Sequence, residues 1–300
     1  MHIQEKNSTM AGPSITHSPL TTHHSPLTRF RVGTSGFSYP DWVGPFYPHR
    51  TRPTEMLPFY AKRFPIVELN FTFYRMPTAG AFEHMVRRTP EGFQFLVKMS
   101  SEVTHACNWS CLGQFLEALE PLCRAGCMAG VLCQFPQSFH CTRVTSSYLW
   151  QLADRLAGYP TFVEFRHRSW DTPRLIPELG ARNLGIVSVD VPLISSLFPR
   201  RLLCSTRTIY VRFHSRKTAN WYAGDKDRYD YWYSRPELEE WVDEIQDLMA
   251  ETERVYLLFN NCRKGQAAQN AAQVQRILEQ RFNSEAGGKC ALAPLHSWLE

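Results

Sequence analysis

From Phe30 onward the chain alternates between short runs of β-branched and aromatic residues and longer amphipathic stretches, the signature of repeated strand–helix units. The runs predict strands over Phe30–Thr34, Ile66–Thr72, Phe93–Ser100, Gly130–Phe135, Thr161–His167, Leu184–Asp190, Thr208–His214 and Arg254–Asn260. Several are apolar in both phases, as strands of a parallel sheet covered on both faces should be. Helices are expected around Thr54–Phe64, Thr78–Arg88, Ser110–Arg124, Thr145–Ala157, Pro173–Ala181, Pro236–Thr252 and Lys264–Glu279, while the sixth connection, Val191–Arg207, lacks a helical pattern. Thr54 and Thr78 suit helix caps, and Pro236 stands where a first-turn proline is tolerated. Eight such units in succession, with no reversal point, predict an α/β fold of one domain, a (β/α)8 barrel of the TIM type, over a doubly wound open sheet.

This barrel is expected to occupy residues 29–282. Residues 1–28 carry the pentapeptide His-Ser-Pro-Leu-Thr twice, at His17–Thr21 and His24–Thr28, and have no period that would bury a face. They are expected to form a disordered extension, and residues 283–300, with Gly287-Gly288, a loosely attached tail.

Alternation within the strands separates polar from apolar positions. Residues two apart on a strand share a side, so polar residues spaced by two in an apolar run mark the barrel interior. The pattern yields Glu68, Asn70 and Thr72, then Lys98 and Ser100, Glu164 and Arg166, and Arg212 and His214, with Gln134, Ser188, Asp190 and Asn260 near the ends of the remaining strands. An unpaired charge in such a place loses several kcal/mol of hydration, so these groups must pair with one another or serve a ligand. A self-neutralised network that merely fills the mouth is the plain alternative. Clustering at the carboxyl ends, where barrel enzymes place their chemistry, favours a site. Loops at that end carry Phe37, Tyr39, Trp42, Phe46, Tyr47, Phe73, Tyr74, Trp170, Trp221 and Tyr222, walls suited to a sugar ring or a base, although large rings more often cover a core. The connection Ser215–Arg235 is too long for a turn and reads as a lid, a binding loop or a disordered segment. Asn260-Asn261 ends the eighth strand with amides able to meet hydroxyls.

The 300-residue composition, 43% hydrophobic and 20% charged, is globular. No apolar run approaches the roughly 18–20 residues needed to span a bilayer, and the first residues do not read as a secretory signal, so a cytoplasmic location without membrane partners is expected. A net charge of +5 is too small and too dispersed to argue for nucleic acid. Nine cysteines include two C-x3-C pairs, Cys107/Cys111 and Cys123/Cys127, which read as small apolar residues in a reducing compartment, since a helix should separate the pairs.

Gly33-Thr34-Ser35-Gly36-Phe37, Phe46-Tyr47-Pro48, Val67-Glu68-Leu69-Asn70-Phe71-Thr72-Phe73-Tyr74, Val163-Glu164-Phe165-Arg166-His167, Tyr210-Val211-Arg212-Phe213-His214 and Phe259-Asn260-Asn261, in this order, resemble the YecE-like family, domain of unknown function 72. The resemblance covers about Arg31 to Glu279. It implies a TIM barrel and brings no settled activity. The first family motif ordinarily continues with Trp where this chain has Phe37, and the last often has an acidic residue or His where Cys262 stands.

The leading expectation is an enzyme for a small anionic or polyhydroxylated, sugar- or nucleotide-like ligand. Arg166, Arg212 and Lys98 would clamp phosphate or carboxylate, Glu68 or Glu164 would act as general base with His214 as acid, and Asn70, Tyr74, Gln134, Asn260 and Asn261 would line the ligand. The sequence identifies no cofactor. One competing reading is a divalent-metal barrel of the sugar-isomerase or endonuclease type, with Glu68, Glu164, Asp190 and His214 as ligands, opposed by the three nearby cations. Another is a non-catalytic module that stacks nucleotide or nucleic acid bases on the seventh loop.

Overall fold

A computed structural model describes residues 26–219, 221–222 and 228–285. Eight parallel strands close in chain order: β1 Phe30–Ser35, β2 Ile66–Leu69, β3 Gln94–Lys98, β4 Met128–Gln134, β5 Thr161–Glu164, β6 Leu184–Asp190, β7 Thr208–Phe213 and β8 Arg254–Phe259, with β8 pairing back onto β1. The principal outer helices are Pro53–Ala61, Ala79–Val86, Leu112–Arg124, Arg143–Arg155, Leu175–Gly180, Arg235–Asp247 and Gln266–Glu285. The expected barrel is thus the observed one, and the sixth connection carries no helix.

Element ends depart from expectation where a polar side chain rewrites the backbone. β2 stops at Leu69 because Asn70 turns to φ −99°, ψ −16° and starts a helical turn, Phe71–Tyr74. Thr72 is therefore not a strand residue: its hydroxyl donates to the carbonyls of Leu69 (3.1 Å) and Lys98 (2.6 Å), tying that turn to the end of β3. Ser100 likewise ends its strand by accepting from the Glu102 N–H, opening the turn Ser101–Thr104. Thr78 caps its helix through the Ala81 N–H, as expected, whereas Thr54 does not, because that helix begins at Pro53 and the Glu55 carboxylate accepts from the Arg52 N–H (2.9 Å). Pro26–Arg29, whose first three residues fall in the expected disordered extension, forms a 3-10 turn pinned by Arg29 Nη1 to the carbonyls of Met249 (2.7 Å) and Thr252 (3.0 Å). The rest of that extension, tail residues 286–300, and Gly224 and Lys226 of the seventh loop lie outside the described residues.

The strands are buried on both faces, so most of the core lies in the ring between strands and helices. Inside the barrel a second apolar layer fills the lower half. Phe162, Tyr210 and Tyr256 meet edge to face there, with centroids 5.3 to 6.0 Å apart. Phe162 lies across the barrel because Gly130 leaves room for it: a Cβ at Gly130 would come within 2.7 Å of the Phe162 ring and 2.8 Å of the Pro160 carbonyl. This aromatic layer is the apolar base under the polar mouth. Gly130→Ala is expected to destabilise the barrel by about 1–3 kcal/mol through overpacking, read from urea unfolding midpoints. An unchanged midpoint would contradict this packing.

Candidate functional site

Strand register determines which side chains share the interior, because directly paired residues of neighbouring strands point the same way. Ser35 pairs with Glu68, Lys98 with Leu132, Gln134 with Glu164, and Arg212 with Leu258. Glu68, Lys98, Glu164 and Arg212, with Arg166 and His214, thus converge above the aromatic base. Arg212 lies at the centre, 1% exposed. Its Nε and Nη2 donate to the two carboxylate oxygens of Glu68, each at 2.7 Å, and its Nη1 pairs with Glu164 Oε2. Glu164 Oε1 lies 2.6 Å from Arg166 Nε. All four oxygens of these two acids therefore face a guanidinium. The Tyr210 hydroxyl adds a 2.5 Å bond to Glu68 Oε2.

His214 lies against the other side of Glu164, with Nε2 3.5 Å from Oε1 and 3.3 Å from Arg166 Nη2. Its Nδ1 is 3.0 Å from the Asn260 amide. Lys98 extends over the Phe73 ring, Nζ 4.1 Å from the centroid, and makes no hydrogen bond or ion pair among the described residues. Phe73 also packs edge-on against His105, centroids 4.8 Å apart.

The electrostatics follow from burial working against pairing. Burial would raise the Glu164 carboxyl, but the Arg166 and Arg212 guanidiniums overcome it and hold the group well below the ordinary range. Burial favours loss of the Arg212 proton, yet Glu164 and Glu68 keep it charged. His214 is driven down to about 3 by burial and by Arg166, so it is a neutral imidazole at physiological pH. Burial lowers Lys98 to about 7, helped by Arg212 and Arg166 and opposed by Glu68 and Glu164. His105 falls to about 4 through burial and the charges of Lys98 and Arg166.

Several expected site residues stand elsewhere or do something else. Asp190 faces outward. Val187 and Val189 pair with the inward Tyr210 and Arg212, so Ser188 and Asp190 take the opposite phase. There Asp190 accepts from Arg216 (2.8 Å), Trp241 Nε1 (2.6 Å) and Tyr233 (3.1 Å) beneath the helix Arg235–Asp247. The same contacts anchor Arg216, which sequence placed in a lid. Asn261 is fully buried and donates to the Tyr231 carbonyl (2.8 Å) and Asn270 (2.9 Å), which brace it, while its Oδ1 has no hydrogen-bond partner among the described residues. Gln134 faces inward but donates to its neighbour's carbonyl, Phe135 O, at 2.8 Å. Arg212 cannot clamp a ligand, since both carboxylates occupy it. Nor does the expected metal set form: Asp190 points away, Glu68 and Glu164 are taken by guanidiniums, and among the described residues no three His, Cys, Asp or Glu side chains gather around one point. Of the aromatic walls, Trp42, Tyr47, Trp170 and Trp221 are core, while Phe73 lines the mouth and Tyr74 and Tyr222 are 79% and 60% exposed. The described cysteines are all free thiols. Cys262 is kept neutral by burial, which lifts it to about 12, so it adds no charge to the mouth.

Two participants were missed by sequence reasoning. Tyr210 shares the phase of Arg212 and His214, and the spacing of two that exposed those residues points to it as well. His105 comes from the turn after β3, where alternation carries no signal.

The family profile described as "Protein of unknown function DUF72" matches residues 31–291. The chain belongs to this family. A curated relative, the UPF0759 protein YunF of Bacillus subtilis, is 30% identical over 275 residues, covering 85% of this chain and 96% of that one. Among solved structures, a DUF72 family protein from Thermotoga maritima superposes with a TM-score of 0.78 at 39% identity, covering 83% of this chain and 99% of that one. A DUF72 family protein from Enterococcus faecalis gives 0.74 at 27% identity, covering 83% and 95%. Family membership thus agrees with the closed barrel, and among the described residues no helix is long and apolar enough to cross a membrane.

Breaking the central pair should cost more than removing it. Glu68→Gln, which leaves Arg212 half-compensated, is expected to destabilise by about 3–5 kcal/mol, and the Glu68→Gln, Arg212→Met double variant by clearly less than the two single losses added together. Additive losses in denaturant unfolding would contradict the pairing.

Proposed function

We propose that the mouth of the barrel binds a small molecule carrying one anionic group and at least one hydroxyl, and that the protein is an enzyme acting on it. The observation that supports this most is a count of charge: Glu68 and Glu164 are offset by Arg212 and Arg166, which leaves Lys98 as a fifth charge with no protein anion. A ligand anion compensates it. Arg166, with a side chain 10% exposed, and Lys98 are the cations that solvent reaches, so they take over the clamping role expected of Arg212. Asn70 supports the hydroxyl, because its Oδ1 is buried with no hydrogen-bond partner among the described residues, an acceptor waiting for a donor.

The acid–base roles move as well. Glu164 is held ionised and His214 neutral, so neither gives or takes a proton easily near neutrality. Lys98, lowered to about 7, does. An enzymatic role rests on that group, since a lysine kept for packing alone gains nothing from a buried place under the charges of Arg212 and Arg166.

Glycerol 3-phosphate, an anion with hydroxyls and no reactive carbonyl, tests the site by calorimetry. It should bind at least tenfold more tightly than glycerol, and Arg166→Gln should abolish the difference. Because the anion favours charged Lys98, binding takes up a proton above about pH 7. Affinity should therefore fall as pH rises beyond that point, by at most about tenfold per unit for one proton. Binding that ignores both pH and Arg166→Gln would overturn the reading.

A further inference from the structure

We propose that Lys98 is an imine-forming lysine, whose amine attacks the carbonyl carbon of a hydroxy-carbonyl compound held by its anionic group at Arg166. The inference rests on the reading of the mouth as an anion site and names the substrate class.

Placement is the first argument. Lys98 is the last residue of β3, at the carboxyl end of the barrel, and its backbone is held by the Thr72 hydroxyl at 2.6 Å. The side chain is partly buried, open to the mouth, and guided by the Phe73 face. The protein also offers this amine nothing to bind. Arg212 hydrogen-bonds both oxygens of Glu68 and pairs with Oε2 of Glu164, Arg166 Nε lies 2.6 Å from Glu164 Oε1 without a hydrogen bond, and the ammonium has no hydrogen bond or ion pair among the described residues. A structural lysine would sit on one of those oxygens. An amine that is desolvated, beside cations and reachable from solvent is the arrangement that activates lysine as a nucleophile. The groups facing it are Arg212, Arg166, Glu68 and Glu164, with His105 across Phe73, and their sum with burial brings it to about 7, so free amine is abundant at neutral pH.

The step balances without a redox partner. The nitrogen lone pair forms a C–N bond as the carbonyl π pair moves to oxygen; two of the ammonium's three protons end on that oxygen, which departs as water when the second C–N bond forms. Lys–NH3+ plus a carbonyl compound gives a protonated imine plus water. The positive charge stays on nitrogen, so the uncompensated cation of the mouth survives the reaction and can draw electrons from the adjacent carbon. Asn70 Oδ1, the unpartnered acceptor, suits a hydroxyl next to that carbonyl.

The test treats the full chain with dihydroxyacetone phosphate or with hydroxypyruvate in the presence of cyanoborohydride, followed by intact mass and peptide mapping. One equivalent of reduced adduct is expected on the peptide containing Lys98, with a yield that rises with pH through about 7 and is suppressed by glycerol 3-phosphate. A stronger signal with the phosphate compound assigns the anion as phosphate, and with hydroxypyruvate as carboxylate. Lys98→Arg should remove the adduct while its circular dichroism stays that of the wild type, and the wild-type map stands even if that variant fails to fold. Glycerol 3-phosphate binding with no adduct from either carbonyl compound, or adducts spread over surface lysines, would overturn the imine and leave the anion site intact. Trapping at Lys98 that glycerol 3-phosphate does not suppress would keep the imine and remove the anion site.

Discussion

The clamp of Arg212 between Glu68 and Glu164 is the constraint around which the mouth of this barrel is organised. Three ions lie at 0–1% exposure, where an uncompensated charge would cost several kcal/mol of lost hydration. They come from β2, β5 and β7, and Arg212 Nη2 also lies 3.4 Å from Ser35 on β1. The clamp therefore reaches across the barrel's width. It sits on an apolar base of Phe162, Tyr210 and Tyr256, and the Tyr210 hydroxyl joins the two levels by bonding to Glu68.

Charge pairing of the two acids with guanidiniums explains the character of the rest. Arg166 takes the remaining oxygen of Glu164, and its charge together with burial keeps His214 neutral. Lys98 then has nowhere to place its proton. In a site of two acids and two guanidiniums the lysine is the one group whose protonation changes the net charge near neutrality. Both the anion reading and the imine reading come from that single surplus. They differ in which form of the amine does the work.

Much of this was legible in the chain. Alternation of side-chain direction correctly identified Glu68, Lys98, Glu164, Arg166, Arg212 and His214 as inward, because the opposite phase of those strands is apolar. It failed at Asp190, since β6 is apolar in both phases apart from Ser188 and Asp190, and nothing local distinguishes a polar end that enters the mouth from one that meets a helix. Arg216 and Trp241, its partners, lie far along the chain, so pairing register alone resolves the case. Asn261 failed similarly: a one-residue step beyond Asn260 turns it to Asn270 and the backbone of Tyr231. Roles were harder to read than positions. That Arg212 is a structural counter-ion and Lys98 the available cation depends on which guanidinium reaches which oxygen, a three-dimensional fact with no trace in spacing.

The most direct test of this account is the titration of Lys98 itself, followed by heteronuclear NMR of lysine-labelled protein, with Lys98→Arg used to assign the signal. The account predicts a midpoint near 7 that moves upward when glycerol 3-phosphate is added. A midpoint at the ordinary lysine value of 10.5, unmoved by the anion, would contradict it.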